Sequence, residues 1–256
     1  MSLQKIIRLL LALLLLVSAS TAFAEKVLVA VATNFTSAME EIVVEFNKAT
    51  GHSTEFSFGA SGKLAAQIEN GAPFQVFLSA DDQKPKKLLA SGFAVADSQF
   101  TYALGTLVLW SAKPGFIDEA GKVLANGNFK HLAIADPKLA PYGEAAVAVL
   151  KNLGLEERTK PLLVLGENIS QTQQFISTGN AELGFIALSQ VIKDGKIGEG
   201  SGWIVPATLY PAIHQDAVLL KTGINNPAAS ELLAFLKSAK ALAIIEKYGY
   251  GLPARP

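Results

Sequence analysis

Short, β-branched apolar runs alternate with helical stripes along most of the chain. Lys26 to Ala32 predicts a strand, and Phe35 to Lys48 follows it with apolar residues on one face of a helix. Such alternation is typical of mostly parallel sheets with helices on both faces, so the pattern predicts an α/β protein. The further predicted pairs of strand and helix are Thr54 to Phe58 with Lys63 to Asn70, Phe74 to Ser79 with Lys84 to Ala90, His131 to Ala135 with Gly143 to Leu153, Leu162 to Gly166 with Gln171 to Ser177, and Leu183 to Ile186 with Leu188 to Ile192.

Two long β-rich runs divide these pairs into two sets. Phe100 to Ser111 separates the first set from the second, and His214 to Leu220 follows the second set. Two such runs indicate two lobes joined by paired hinge crossings, and a helix from Ala228 to Tyr248 is predicted to return to the first lobe. We therefore expect residues 25–105 and 213–256 to form lobe I and residues 106–212 to form lobe II.

The first 24 residues have the pattern of a cleavable secretory signal peptide. Lys5 and Arg8 precede the nine apolar residues from Leu9 to Val17, and Ala22-Phe23-Ala24 is a small-x-small cleavage site. A membrane anchor would need roughly 18 or more apolar residues, and the absence of cysteine excludes a lipid-modified N-terminal Cys. We expect the exported chain to be periplasmic and to make no direct membrane insertion after cleavage.

Composition and charge narrow the choice of partners. Half of the residues are hydrophobic, the 22 basic residues equal the 22 acidic ones, and there is no cysteine. These values describe a globular protein and exclude a disulfide scaffold. The charges are scattered, so the chain offers no basic face for a phosphate backbone, and we expect no nucleic-acid partner.

Four of the predicted strand-to-helix turns carry small or polar residues where the helix begins. A helix start presents unpaired N–H groups and about half a positive charge, and it favours anions. Two turns lie in each expected lobe, so they could converge on a cleft. The alternative is that Asn34 and Ser61 only cap their helices. The four turns are Thr33-Asn34, Ala60-Ser61-Gly62, Pro141-Tyr142-Gly143 and Ile169-Ser170.

Several common kinds of functional site require residues that this chain does not have at the necessary positions. A hydrolase elbow needs Gly where Lys63 stands, and a P-loop needs Ser or Thr where Leu64 stands. His52, His131 and His214 have no His or Cys neighbour at metal-ligand spacing, which disfavours a zinc site. No pair of nucleophile and base is evident, so an enzyme is disfavoured.

Arginine is too scarce for a carboxylate receptor. After the signal peptide the chain has only Arg158, in an exposed charged turn, and Arg255, next to the C-terminus. Neither is well placed to clamp a buried carboxylate with two hydrogen bonds. The remaining ligand class is a small anion held by neutral donors.

Four sequence blocks carry a resemblance to a known family. These are Val29 to Phe35, Phe58 to Ile68, Gly71 to Asp81 and Lys247 to Tyr250. They resemble the periplasmic molybdate-binding proteins of ABC uptake systems, and the similarity covers essentially all of the chain after the signal peptide. The resemblance implies a two-lobe type II periplasmic-binding fold, with mixed, mostly parallel sheets and two hinge crossings.

The same resemblance implies the ligand and the residues that bind it. Molybdate or tungstate would be held between the lobes by Asn34 with Thr33 beside it, by Ser61, and by the backbone amides of Tyr142 and Ile169. Molybdenum would thus be bound as its oxyanion through Asn34, Ser61, Tyr142 and Ile169. We expect a monomer without cofactor or catalytic activity that delivers its ligand to a membrane permease driven by a cytoplasmic ATPase.

One position departs from the family pattern. Many members have a tyrosine ligand in the turn after the strand Leu183 to Ile186, where this chain has Ala187. The hydroxyl or the amide of Tyr142 could fill that gap from the other side. Two other functions stay open: a receptor for another tetrahedral oxyanion such as sulfate, and, less favoured, a secreted enzyme on a related scaffold.

Overall fold

The computed structural model describes residues 24–118, 120–127 and 129–254. The predicted signal peptide lies outside this part of the chain except for its last residue, Ala24, and Arg255 lies outside it as well. None of the helices within the described residues is both long and apolar enough to cross a bilayer.

The observed elements follow the predicted alternation of strands and helices. The strands are β1 (Lys26–Ala32), β2 (Ser53–Gly59), β3 (Val76–Leu78), β4 (Phe100–Gly105), β5 (Leu107–Ser111), β6 (Leu132–Ala135), β7 (Leu163–Gly166), β8 (Leu183–Ala187), β9 (Ile192–Lys193), β10 (Lys196–Ile197), β11 (Ser201–Ile204) and β12 (Ile213–Leu219). The helices are α1 (Thr36–Thr50), α2 (Ser61–Glu69), α3 (Gln83–Ala90), α4 (Val123–Asn126), α5 (Pro141–Asn152), α6 (Glu156–Thr159), α7 (Ile169–Ser177), α8 (Pro227–Leu236) and α9 (Ala239–Lys247). Single 3-10 turns occupy Thr33–Phe35, Lys160–Leu162, Leu188–Gln190, Ala207–Leu209 and Lys221–Gly223.

The larger strands form two five-stranded sheets. The first has the order β2-β1-β3-β12-β4, in which β1 pairs parallel with β2 and β3, and β12 pairs antiparallel with β3 and β4. The second has the order β11-β5-β8-β6-β7, in which β6 pairs parallel with β7 and β8, and β5 pairs antiparallel with β8 and β11. Each sheet therefore joins a parallel part to an antiparallel part.

The two long β-rich runs carry the chain between the sheets. Phe100 to Ser111 is divided at Thr106, so that β4 lies in the first sheet and β5 in the second. Residues 205–212 make the return from β11 to β12. At the first crossing a side chain on Gly105 would lie 2.8 Å from Gln215 Nε2, so only glycine lets the strand pass this close to the neighbouring side chains.

Helices cover the sheets with the faces that their sequences predict. The buried positions of α1 repeat at helical spacing, and the helix ends at Gly51, whose φ of 77° is the left-handed conformation typical of a C-terminal cap. Phe46 of α1 is fully buried and packs edge-on against Phe235 of α8, with ring centroids 5.7 Å apart. The C-terminal helices thus pack on the first sheet. The buried residues of α1 are Ala38, Met39, Ile42, Val43 and Phe46.

Two predicted helices were wrong in extent. The helix expected from Leu188 to Ile192 is only the turn Leu188–Gln190, because Gln190 Oε1 accepts the Ala187 N–H and the chain then enters the hairpin of β9 and β10. The single helix expected from Ala228 to Tyr248 is divided into α8 and α9. Ser238 lies at the break, where its hydroxyl accepts the Ala241 N–H and caps α9.

The packing of α1 against α8 makes a prediction about stability. Phe46→Ala removes a fully buried ring and should lower the free energy of unfolding by about 3–5 kcal/mol. Val44→Ala on the same helix is the control, because Val44 is 63 % exposed and its truncation should cost no more than about 0.5 kcal/mol. Urea denaturation followed by circular dichroism measures both changes, and equal losses in the two variants would contradict this packing.

Candidate functional site

The four strand-to-helix turns meet at one small cavity between the two sheets. The cavity has a volume of about 10 Å³, close to the roughly 10–15 Å³ that one water molecule needs and far below the roughly 300–1,000 Å³ typical of sites for drug-sized ligands. All five residues predicted to bind the ligand line it. The full lining is Ala32, Thr33, Asn34, Gly59, Ala60, Ser61, Ala80, Ala140, Pro141, Tyr142 and Ile169.

Adjacent parallel strands bring the turns together in pairs. In the first sheet Ala32 of β1 is the register partner of Gly59 of β2, so the turns that follow them lie side by side. In the second sheet Ala135 of β6 pairs with Gly166 of β7 in the same way. Because the carboxyl ends of parallel strands share one edge of a sheet, each sheet presents two helix starts to the cavity.

Backbone N–H groups at these helix starts have no acceptor within their own helix. Pro141 begins α5 and has no N–H, so Tyr142 supplies the first amide of that helix. At α7 the Asn168 side chain caps the Ser170 and Gln171 amides at 3.0 Å, and the Ile169 amide is not part of this cap. The second sheet therefore offers two backbone donors beside the cavity.

Ser61 is not a helix cap. Residue Ala60 occupies the cap position of α2 without a side-chain hydrogen bond, and Ser61 is the first helical residue. Its Oγ accepts the Ala80 N–H at 2.9 Å and is almost fully buried. Because that lone pair is occupied, the hydroxyl hydrogen of Ser61 is available to an acceptor elsewhere.

The Asn34 side chain is not a helix cap either. Its Nδ2 donates to Gln215 Oε1 at 2.7 Å and to the Tyr250 hydroxyl at 3.0 Å, so both amide hydrogens have acceptors. The 3-10 turn at Thr33–Phe35 has no side-chain cap. The donor that Asn34 leaves for the cavity is its backbone N–H, next to the Thr33 side chain.

Tyr142 extends from the cavity toward the hinge. Its hydroxyl accepts a hydrogen bond from Gln215 Nε2 at 3.1 Å, and it lies beside Gly105 at the crossing from β4 to β5. Burial raises the pKa of Tyr142 well above its usual value, and the neighbouring Tyr250 and Tyr102 hydroxyls add to the rise in pKa. The phenol therefore stays protonated at neutral pH.

Three residues of this region were missed in the sequence. Gln215 is fully buried, and its side chain connects Asn34, Tyr102 and Tyr142. Tyr250 and Ser189 both bond to the Asn34 carbonyl. The glutamine inside the β-rich run His214 to Leu220 was an available signal, whereas nothing local marked Ser189. Ala187 is fully buried at the end of β8.

The lining of the cavity consists of neutral residues. In the part of the chain that the structure describes, no charged side chain belongs to it. Charged side chains lie outside this lining, where Lys63 pairs with Glu167 and Lys84 lies 4.0 Å from Glu144, each pair crossing from one sheet's residues to the other's. The arrangement can bind an anion through N–H and O–H donors alone.

Comparisons with known proteins agree with this geometry. Residues 27–251 match the family described as bacterial extracellular solute-binding protein. The chain is 58 % identical over 234 residues to the molybdate-binding protein ModA of Azotobacter vinelandii, covering 91 % of this chain and 93 % of that one. It is 54 % identical over 229 residues to the molybdate-binding protein ModA of Rhodobacter capsulatus, covering 90 % and 89 %.

A comparison with solved structures identifies the fold. The periplasmic molybdate-binding protein of Azotobacter vinelandii superposes with a TM-score of 0.87 at 44 % sequence identity, covering 89 % of this chain and 100 % of that one. This match confirms the type II periplasmic-binding fold with two mixed sheets. The chain belongs to the bacterial extracellular solute-binding proteins and, within them, to the family of the molybdate-binding ModA proteins.

Proposed function

We propose that this protein captures molybdate or tungstate between two lobes and delivers it to the membrane permease of an ABC transporter. The observation that carries the proposal is the convergence of four helix starts, two from each sheet, on one small cavity with a neutral lining. The ModA proteins of Azotobacter vinelandii and Rhodobacter capsulatus are named for binding molybdate, which supports the same ligand here.

The two proposed lobes correspond to the two five-stranded sheets. Lobe I comprises residues 25–105 and 213–256, and lobe II comprises residues 106–212, so each five-stranded sheet belongs to one lobe. The two lobes meet at the cavity, where the Gly62 N–H donates to the Leu139 carbonyl at 2.9 Å. A side chain on Gly62 would lie 3.0 Å from that oxygen, which favours glycine at this contact.

Each proposed donor comes from one of the four turns. The backbone N–H of Asn34, with Thr33 beside it, and the hydroxyl of Ser61 act from lobe I. The backbone N–H groups of Tyr142 and Ile169 act from lobe II. The oxyanion is cargo, and the proposal includes neither a cofactor nor a catalytic step.

The chemistry of these donors favours a fully ionised oxyanion. Such an ion has only acceptors, and N–H and O–H groups satisfy them. A protonated phosphate brings a hydrogen that would lack an acceptor, at a cost of about 1–3 kcal/mol, or roughly 5-fold to 150-fold in affinity. Sulfate is also fully ionised, so its rejection depends on size, and a sulfate receptor remains the alternative.

Export to the periplasm completes the proposal. Residues 1–24 have the pattern of a signal peptide, and the similar protein of Azotobacter vinelandii is described as periplasmic. After cleavage the chain would act there as a monomer that docks on its permease.

A ligand panel tests the proposed function. A ligand that binds only the folded state stabilises it by mass action, so molybdate or tungstate at 1,000 times its dissociation constant should add about 4 kcal/mol to the free energy of unfolding. Differential scanning fluorimetry with molybdate, tungstate, sulfate and phosphate measures the shift. Equal stabilisation by sulfate would favour the alternative receptor, and no stabilisation by any of them would contradict both.

Ser61→Ala tests the proposed hydroxyl donor. Loss of one charge-assisted hydrogen bond should weaken molybdate binding by about 1.5–3 kcal/mol, roughly 10-fold to 150-fold, as measured by calorimetry. Ser79→Ala is the matched control, because Ser79 is fully buried next to Ala80 but does not line the cavity. Equal affinities of Ser61→Ala and Ser79→Ala would remove Ser61 from the ligand set.

Tyr142→Phe separates the hydroxyl of Tyr142 from its backbone N–H. Because the hydroxyl lies beside Gly105 and Gln215 at the hinge, we expect molybdate affinity to change by less than about 3-fold, while the Gln215 N–H, left without its acceptor, lowers stability by about 1–3 kcal/mol. Tyr102→Phe is the control, since its hydroxyl also bonds Gln215 but lies outside the lining. A loss of affinity above 10-fold in Tyr142→Phe alone would show that its phenol contacts the anion.

A further inference from the structure

One turn of lobe II bonds to a carbonyl of lobe I directly behind the cavity. Ser189, in the turn Leu188–Gln190, donates its hydroxyl to the Asn34 carbonyl at 2.8 Å and is 9 % exposed. The Tyr250 hydroxyl, from lobe I, donates to the same carbonyl at 2.6 Å and lies 3.0 Å from Ser189 Oγ. Two buried donors from different lobes therefore share one acceptor.

We infer that Ser189 is a positioning residue that controls how tightly the lobes hold together, and through this the release of the anion, without touching the anion itself. The inference rests on the proposed function, because it concerns the same cavity. It also gives a role to the turn after β8. That turn carries no phenol at Ala187, and it acts on the ligand site through Ser189.

The geometry shows how a contact behind the cavity can affect the donors in front of it. In a short helical turn the carbonyl groups point opposite to the N–H groups. Ser189 and Tyr250 hold the Asn34 carbonyl, and Thr36 Oγ1 holds the Thr33 carbonyl at 2.9 Å. Fixing these carbonyls orients the N–H groups of the turn Thr33–Phe35 toward the cavity.

The turn that carries Ser189 is also tied to the second lobe's ligand turn. Gln190 Nε2 donates to the Ile169 carbonyl at 3.1 Å, and Gln190 Oε1 accepts the Ala187 N–H at 3.0 Å. One short segment therefore holds the turn of Ile169 within lobe II and the turn of Asn34 across the cleft. Movement of the lobes apart would break the second connection and keep the first.

The approach of the two lobes is close at this point. Gly249 precedes Tyr250 with a φ of 77°, and a side chain there would lie 2.9 Å from Ile192 Cδ1 and 3.1 Å from Leu188 Cδ2. The left-handed glycine lets the C-terminal loop of lobe I lie against the turn of lobe II. The hydroxyl contact of Ser189 is thus part of a packed interface.

Ser189→Ala tests the inference by its effect on binding kinetics. Apparent affinity scales with the population of the state that is competent to hold the ligand, and one lost hydrogen bond of ordinary strength corresponds to about 3-fold to 10-fold. We expect the Kd and the release rate of molybdate to rise by that factor in stopped-flow fluorescence, while the association rate changes by less than about 2-fold. Ser201→Ala is the control, because its hydroxyl bonds Lys113 and Ile117 within lobe II, and its release rate should stay unchanged.

Double variants distinguish positioning from direct contact. Ser189→Ala and Tyr250→Phe should combine to more than the product of their separate effects, since each single variant leaves the Asn34 carbonyl one donor and the double variant leaves it none. Ser189→Ala and Ser61→Ala should multiply, since Ser61 acts on the anion and Ser189 on the lobes. A departure from multiplication in the second pair would place Ser189 on the anion and overturn the inference.

The outcomes for Ser189 and for the proposed function are separable. If the wild-type protein binds molybdate and the Ser189→Ala variant releases it at the same rate, the positioning role alone is overturned. If the wild-type protein binds neither molybdate nor tungstate, the proposed function is overturned, and this inference with it.

Discussion

The first amides of an α-helix cannot be paired within the helix, and the site of this protein follows from that constraint. Two adjacent parallel strands in each sheet end at the same level and continue into helices, so that each sheet presents two sets of unpaired amides. The crossing at Thr106 and the return through residues 205–212 place the two edges opposite each other. An anion between them would satisfy donors that neither sheet can satisfy alone.

A buried polar network supports the cavity from behind. Gln215 accepts from Asn34 and donates to Tyr142, and so links a cavity-lining turn of the first sheet to a cavity-lining turn of the second. Within the described residues, no buried side-chain nitrogen or oxygen lacks a hydrogen-bond partner. A fully satisfied network of this kind favours one arrangement of its members, because any other arrangement leaves a buried polar atom unpaired.

The neutrality of the cavity has a consequence for specificity. A cationic lining would attract any anion, whereas N–H and O–H donors at fixed positions discriminate by the number and placement of acceptors. The ion pair of Lys63 with Glu167 lies outside the lining and is half-exposed. Surface pairs of this kind contribute little to stability, and the proposed recognition of the anion uses only the buried donors.

Local sequence patterns were sufficient for most of the elements and for the turns that line the cavity. The period of the apolar residues predicted the strands and the helices, and helix starts at Asn34, Ser61, Tyr142 and Ile169 were visible because the turn residues stand immediately beside them. The predicted extent of a helix was less accurate where an apolar helical pattern and a capping residue occurred together. Ser238 stands within an apolar, helical pattern, and its ability to cap a helix divides that pattern into α8 and α9.

Only the tertiary structure decided which polar groups are already occupied. The partners of the Asn34 side chain, Gln215 and Tyr250, are 181 and 216 positions away along the chain. The sequence allowed Ser61 to be a helix cap, and the structure shows that it is not, because Ala60 occupies the cap position and Ser61 Oγ accepts the Ala80 N–H of the neighbouring turn. Periodicity and capping act over a few residues and can be read from the chain, whereas a hydrogen-bond partner is selected by the packing of distant elements.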